Sequence, residues 1–395
     1  MDGIPERGFT RLPLFYLEAL RRSVPPLQTP AEQGDNRCSS VPQERNEPLN
    51  RSDLPALPLL PTSVIGSYSF PRWLDHARAL GAQGTLTPEE VEEAHDNAVK
   101  SAIKDQELAG VDIITDGEIR RETMVYFFSK RIHGFDFEHA KMHAIGNLDA
   151  SIQMPDPTIV DKVRWKQSLD MDKHFTFLQD HSVVRTKVCV TGPQMLAKRA
   201  TNEHYKSDKE LIFDLADILN VELKGLAKAG CDFIQIDEPV WVGYPKDMPW
   251  LVEAFNRMVK DVKAKIAVHV CYGNYQLKKL FTGQYAELFP ALLDVHADQL
   301  CLEFAVSDGV GLELFQQHKT DKEVAVGVID VKDEQVETAE TVAKRIRQAL
   351  KFIPAERMTI VPDCGMKFMP RHRAFEKLKA MVNGTRMIRK ELGAS

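Results

Sequence analysis

From residue 62 onward the chain repeats one pattern. A short run of β-branched and other apolar residues gives way to turn residues, then to a longer stretch whose apolar positions recur every three or four. The short runs cover 62–66, 111–115, 185–191, 231–236, 265–271, 299–304, 323–329 and 358–362. Their length and composition predict strands, and the helical spacing between them predicts helices. Thr87-Pro88-Glu89-Glu90 is a capping-box signature with proline at the first helical position. It opens a helix with Val91, Ala94 and Ala98 on one face, stopped by Gly110. Leu211, Leu215, Ile218 and Leu226 mark a second helix closed by Gly230, and Val342, Ile346 and Leu350 a third that ends before Pro354. Strand then helix, eight times over, predicts an α/β fold, a parallel TIM (β/α)8 barrel. One interval is much longer than the rest. It predicts an insertion after the second strand, residues 120–184, to which the pattern assigns no structure.

The first 61 residues differ in kind. They hold 10 of the 22 prolines, and the first lysine of the chain is Lys100. A helical patch fits only residues 14–20. Residues 29–50 are polar and proline-rich, the composition of a flexible arm. Acids at Asp2, Glu6, Glu18, Glu32, Asp35, Glu44, Glu47 and Asp53 argue against a transit peptide. The expected organisation is therefore an arm over 1–61 and one barrel over 62–395. Composition adds exclusions. With 43% hydrophobic residues, 27% charged and a net charge of −6, the chain reads as globular. No apolar run reaches the length of a membrane helix, and no Lys/Arg stripe suggests nucleic acid. Six cysteines without a secretory signal read as reduced thiols or metal ligands, which places the protein in the cytoplasm.

Barrels of this kind gather their chemistry at the C-terminal ends of the strands. The fifth run ends in His269-Val270-Cys271, and strand alternation points His269 and Cys271 the same way. The sixth carries Glu303 inside Leu302-Glu303-Phe304, and the eighth ends in Pro362-Asp363-Cys364-Gly365. Two thiols, an imidazole and a carboxylate suit tetrahedral zinc and disfavour magnesium or calcium. The competing reading is an inert set, because a buried cysteine commonly behaves as a small hydrophobe. Cys301 would point the same way as Glu303 from a deeper layer; Cys189 and Cys231 read as core. A catalytic zinc needs an exchangeable position, and the carboxylate is the ligand expected to yield to an incoming thiol. That thiol would then be a nucleophilic thiolate at neutral pH. After the first run, the Gly66-Ser67 turn can offer backbone N–H groups and a hydroxyl to an anion. Glu118 and Asp237 suit a cation; the alternatives are a solvated loop acid for Glu118 and a helix cap for Asp237 or Glu238. Arg121 reads as a partner for a nearby acid or for an anionic substrate group.

In order along the chain stand Val64-Ile65-Gly66-Ser67, Asp116-Gly117-Glu118 with Arg121 and Met124, Thr191-Gly192-Pro193, Gln235-Ile236-Asp237-Glu238-Pro239, His269-Val270-Cys271-Tyr272, Glu303 and Pro362-Asp363-Cys364-Gly365. Through these motifs residues 62–391 resemble the C-terminal catalytic domain of cobalamin-independent methionine synthase, and more closely the short single-domain proteins of that superfamily. The resemblance implies a TIM barrel with catalytic zinc on His269, Cys271, Glu303 and Cys364. It further implies that Ile65-Gly66-Ser67 holds the carboxylate of homocysteine, that Glu118 and Asp237 hold its α-ammonium, and that its thiolate takes a methyl group to give methionine.

Two departures stand out. The full synthase has a second, N-terminal barrel, where this chain has only the arm. It also has a histidine after its seventh strand, in a Tyr-Asp-Ile-His-like segment, that can serve as an acid toward folate. Here the segment is Val328-Ile329-Asp330-Val331-Lys332. Lys332 is thus a different proton donor, an anion contact or an ordinary surface lysine. The tryptophan expected after Gly192-Pro193 aligns near Arg199, with Trp241 and Trp250 as substitutes on the next loop. The thiol side of the site is complete, while the folate side is altered. The methyl donor could be methyltetrahydropteroyltriglutamate, a methylcorrinoid (free or on a corrinoid protein) or another small methyl compound. An epoxyalkane:coenzyme M transferase type of zinc-thiolate alkyltransferase is the alternative. Coenzyme M has no amine, so the paired acids favour an amino-acid thiol. A non-enzymatic barrel with structural zinc is the third reading.

Overall fold

The computed structural model describes residues 54–394. Strands run in chain order as β1 (Ile113–Ile114), β2 (Ile132–Ala144), β3 (Gln153–Trp165), β4 (Arg185–Thr186), β5 (Val188–Thr191), β6 (Thr201–Asn202), β7 (Phe233–Asp237), β8 (Lys265–Val270), β9 (Gln299–Leu302), β10 (Glu323–Ile329) and β11 (Met358–Pro362). Six of them form one parallel sheet in the order β11-β10-β9-β8-β7-β5. Parallel bridges then close it into a ring: Thr62 pairs with Ile360, Ser63 with Ile113, and β1 with β4. β4 and β5 are one run interrupted at Lys187, whose N–H still bonds to Ile114 O at 2.9 Å. Among the described residues, eight parallel segments therefore form a TIM barrel, in the chain order of the eight apolar runs. The first predicted strand is much shorter than expected, because only Thr62 and Ser63 pair.

The helices are α1 (Arg72–Ala82), α2 (Pro88–Ala109), α3 (Tyr126–Ser129), α4 (Met171–His181), α5 (Pro193–Lys198), α6 (Asp208–Lys228), α7 (Met248–Met258), α8 (Leu314–Gln317), α9 (Ala339–Ala349) and α10 (Arg371–Glu391). The Thr87/Glu90 capping box forms in full at the start of α2, and Gly110 ends that helix in the left-handed conformation. Ser207 and Thr338 cap α6 and α9. None of the described helices is long and apolar enough to cross a membrane.

The insertion has a definite form. β2 and β3 make an irregular antiparallel hairpin, and β6 joins β3 in parallel. β2 is buried at one end and exposed over most of the rest, so apolar and polar positions do not alternate along it. Residues 54–61 also differ from the expected arm: Leu60 is fully buried, and Arg389 donates to the carbonyls of Leu59 and Leu60. Leucines among the prolines explain this packing. The rest of the predicted arm, including the helical patch at 14–20, lies outside the described residues.

Two apolar layers hold the barrel. A large cluster joins the outer strand faces to the helices. A small one fills the interior with Ile65, Ile113, Phe233, Ala267, Cys301, Ala325 and Val361, contributed by seven of the eight barrel segments. These inward positions set the phase for what lies above them.

Candidate active site

Counting by twos along each strand from the interior layer leads to the site. Ala267 puts His269 and Cys271 on the inner face, Phe233 does the same for Gln235 and Asp237, and Cys301 for Glu303. His269 is paired in register with Asp237 on one side and Cys301 on the other. The ligand atoms of His269, Cys271 and Cys364 all lie within 4.8 Å of one another. The two sulfurs are 3.6 Å apart, and Gly273 N–H points at the Cys271 sulfur at 3.3 Å. Burial pushes the Cys271 thiol up, while its hydrogen bond to Cys364 holds the Cys364 thiol well below the usual range.

Both ring nitrogens of His269 are buried with no hydrogen-bond partner, as is Oε1 of Glu303. Orphaned buried polar atoms are costly and rare. Three of them beside two adjacent sulfurs fit a metal ion with imidazole, thiolate and carboxylate ligands. Glu303 stands outside the close set of three. Its Oε2 accepts from Lys332 Nζ at 2.6 Å, and both side chains are almost completely buried. Lys332 is thus neither a surface lysine nor one of the residues lining the cavity. Burial works to discharge its ammonium, but Glu303, Cys271 and Cys364 together outweigh burial and raise its pKa.

A second cluster lies beside the first. Glu118, Cys189 and Asp237 offer atoms within 4.8 Å of one another. Burial pushes the Glu118 carboxyl up to about 7, against the Arg121 guanidinium 3.2 Å away. Glu118 is held at φ 55°, a strained conformation stabilised by its N–H bonding to Asp116. Asp237 accepts from Gln235 at 2.6 Å, and Gln235 accepts in turn from Lys187 at 2.6 Å. Lys187 escaped the sequence reading, although a lysine inside an apolar strand is a signal of its own. Glu238 turns away and caps α5, accepting from Gln194 N and Met195 N at 2.9 Å each. The cap alternative therefore holds for Glu238 and not for Asp237. The Cys189 thiol, pushed up by burial, donates to Ile65 O at 2.9 Å, in keeping with a core residue.

One cavity of about 420 Å³ joins these groups. Ile65, Gly66, Ser67, Glu118, Asp237, His269 and Cys364 line its inner part. Gly66 is needed for close approach: a Cβ there would stand 2.5 Å from the Glu118 carboxylate. Gly365 similarly makes room for Ser67. Ala144 and Met154 of the β2–β3 hairpin line the outer part with Tyr244, Tyr275 and Lys198. Arg199 lines it too and pairs with the buried Asp156 of β3. Trp241 and Trp250 do not line the cavity. Trp241 is buried against Phe255, and the Trp250 indole N–H donates to Asp247.

Known proteins are similar to this chain in sequence and fold. The family described as "Cobalamin-independent synthase, Catalytic domain" matches residues 60–387. A methionine synthase of Saccharolobus solfataricus is 40% identical over 337 residues, which span 85% of this chain and 97% of that protein. The solved B12-independent methionine synthase from Shewanella sp. W3-18-1, in complex with selenomethionine, superposes with a TM-score of 0.76 at 33% identity, over 85% of this chain and 99% of that one. A methyltransferase from Methanosarcina mazei shares the fold at a TM-score of 0.56 and 11% identity, over 85% of this chain and 95% of that one. With the motifs in order on a closed barrel, the chain belongs to the cobalamin-independent methionine synthase family.

Proposed function

We propose that the protein is a zinc-dependent methyltransferase that moves a methyl group onto the thiol of homocysteine to form methionine. One observation carries this: His269 and Cys364 of the close His/Cys/Cys set line the same cavity as the carboxylates of Glu118 and Asp237, with His269 and Asp237 adjacent in register. That combination matches a small molecule with a thiol at one end and an ammonium at the other. Coenzyme M has no ammonium to set between Glu118 and Asp237.

His269, Cys271 and Cys364 would hold the zinc, with Glu303 as the exchangeable fourth ligand. Bound zinc would lower the pKa of the substrate thiol, so that its sulfur is nucleophilic at neutral pH. The protein's own groups do the rest. Glu118 and Asp237 bind the α-ammonium, and the Ile65-Gly66-Ser67 turn receives the carboxylate. Gln235 and Lys187 fix Asp237 from below, and Arg121 fixes Glu118. The substrate sulfur is thereby aimed at the outer part of the cavity, where the donor has room. There the new carbon–sulfur bond forms as the methyl group's bond to its donor breaks, and the donor keeps that electron pair.

The altered donor side supports a corrinoid over a folate. Lys332 faces Glu303 rather than the cavity, and neither tryptophan reaches it. A folate leaving group needs a proton on nitrogen, whereas a corrinoid leaves as the cobalt(I) form without one. A donor panel with homocysteine tests this: methyltetrahydrofolate with one and with several glutamates, methylcobalamin, and S-methyl compounds. Methionine is expected from methylcobalamin and little from folate. Full activity in a Cys271→Ala protein would overturn the enzymatic reading itself.

A further inference from the structure

We propose that Lys332 is a positioning residue for Glu303: it holds one carboxylate oxygen and so gives the carboxylate a paired resting place when an incoming thiol displaces it from the metal. This rests on the zinc reading above. The geometry is specific. Glu303 has no exposed surface, its Oε2 lies 2.6 Å from Lys332 Nζ, and its Oε1 is buried and unpartnered. One oxygen is engaged and the other is free. A buried carboxylate that left a metal with no counter-charge would be strongly disfavoured, and Lys332 removes that penalty.

The surroundings restrict motion to the Glu303 side chain. Glu303 N–H donates to Tyr285 Oη at 2.9 Å. Asp363, next to the ligand Cys364, accepts from the three following amides, those of Phe304, Ala305 and Val306. The loop that carries Lys332 is also clamped. Lys377, wholly buried on α10, donates to Asp330 O at 2.8 Å, to Gln335 O and to Glu337 Oε2 at 2.9 Å. Glu337 Oε1 in turn accepts from Asp330 N–H at 2.8 Å, and Lys332 N–H donates to Asp330 Oδ1 at 2.7 Å. Such a loop presents the ammonium at a fixed place. No bond is made or broken at Lys332; it moves neither the methyl group nor a proton.

The test is zinc K-edge absorption and homocysteine calorimetry on full-length, zinc-loaded wild type, Lys332→Met, Lys332→Arg and Glu303→Gln. Wild type should exchange an oxygen neighbour of zinc for sulfur when homocysteine is added. Lys332→Met should still hold about one zinc per chain, keep its oxygen neighbour, and bind homocysteine at least about tenfold more weakly. Lys332→Arg should restore the exchange. In the Glu303→Gln background, whose neutral amide needs no counter-charge, Lys332→Met should cost almost nothing further. Equal exchange and affinity in wild type and Lys332→Met would overturn the proposal alone, as would additive losses in the double variant. A wild type that takes up no zinc would instead remove the underlying reading, and the proposal with it.

Discussion

At the scale of single residues, the site separates into groups that hold and groups that are held. The ligand atoms of His269, Cys271 and Cys364 converge, and both ring nitrogens of His269 are unpartnered, so on the zinc reading removing one of the three should cost more metal affinity than the roughly 10–100-fold typical of an outer-shell partner. Cys364→Ser is expected to lose most of its zinc, measured as metal per chain after dialysis against a mild chelator. Glu118 sets a pH dependence. Burial raises its carboxyl from 4.5 to about 7. Below about 7 it holds a proton and cannot pair with an ammonium. Homocysteine affinity should therefore fall as the pH drops from 8 to 6, by roughly tenfold for each unit below the pKa. In Glu118→Gln this contribution should vanish, leaving only the slope from the proton that the substrate thiol releases on binding zinc, read by calorimetry across the pH range. The same shift bears on the free protein. Between 4.5 and about 7 the native state holds a proton that the unfolded chain has released, so this group's contribution to stability declines as the pH rises through that window. The convergence of His269, Cys271 and Cys364 was legible in the sequence because each stands at the end of an apolar strand. The Lys332–Glu303 pair was not. Its partners are 29 residues apart on different strand ends, and such a contact leaves no periodic trace.

Among the elements, the turns carry most of the specificity. Gly66 sits so close to Glu118 that Gly66→Ala should displace the carboxylate. The variant is expected to keep its zinc yet bind homocysteine at least about tenfold more weakly, because a buried ion pair with the substrate is lost. Normal homocysteine binding with normal zinc content would count against the assigned ammonium site. The loop over 330–337 depends on Lys377. Lys377→Met leaves Glu337 with one fewer partner and two carbonyls unpaired, so it should cost about 3–5 kcal/mol in urea denaturation. The capped helices were legible in detail, down to Thr87, Glu90 and Gly110, because capping chemistry is local. The β2–β3 hairpin was not, because its largely exposed strand needs no alternating apolar face. Its contribution to the cavity comes from Ala144 and Met154, which nothing local marks.

For the molecule as a whole, chain order and spatial order coincide around the barrel, which is why eight apolar runs sufficed to predict the architecture. Right-handed strand–helix–strand connections leave few other ways to arrange eight such units. Closure at the first strand rests on two bridging residues, and the packing of 54–61 against α10 adds a tie that composition alone assigned to the arm. On the proposed reading the barrel places a thiol-activating half and a donor half in one cavity; of the altered positions, Arg199 lines that cavity, whereas Lys332 sits on Glu303. The central claim is that an amino-acid thiol becomes a ligand of zinc held by His269, Cys271 and Cys364. Zinc K-edge absorption on the wild-type protein, with and without homocysteine, tests it most directly. The account predicts two sulfur neighbours rising to three as one oxygen neighbour is lost; a sulfur count unchanged at saturating homocysteine would contradict it.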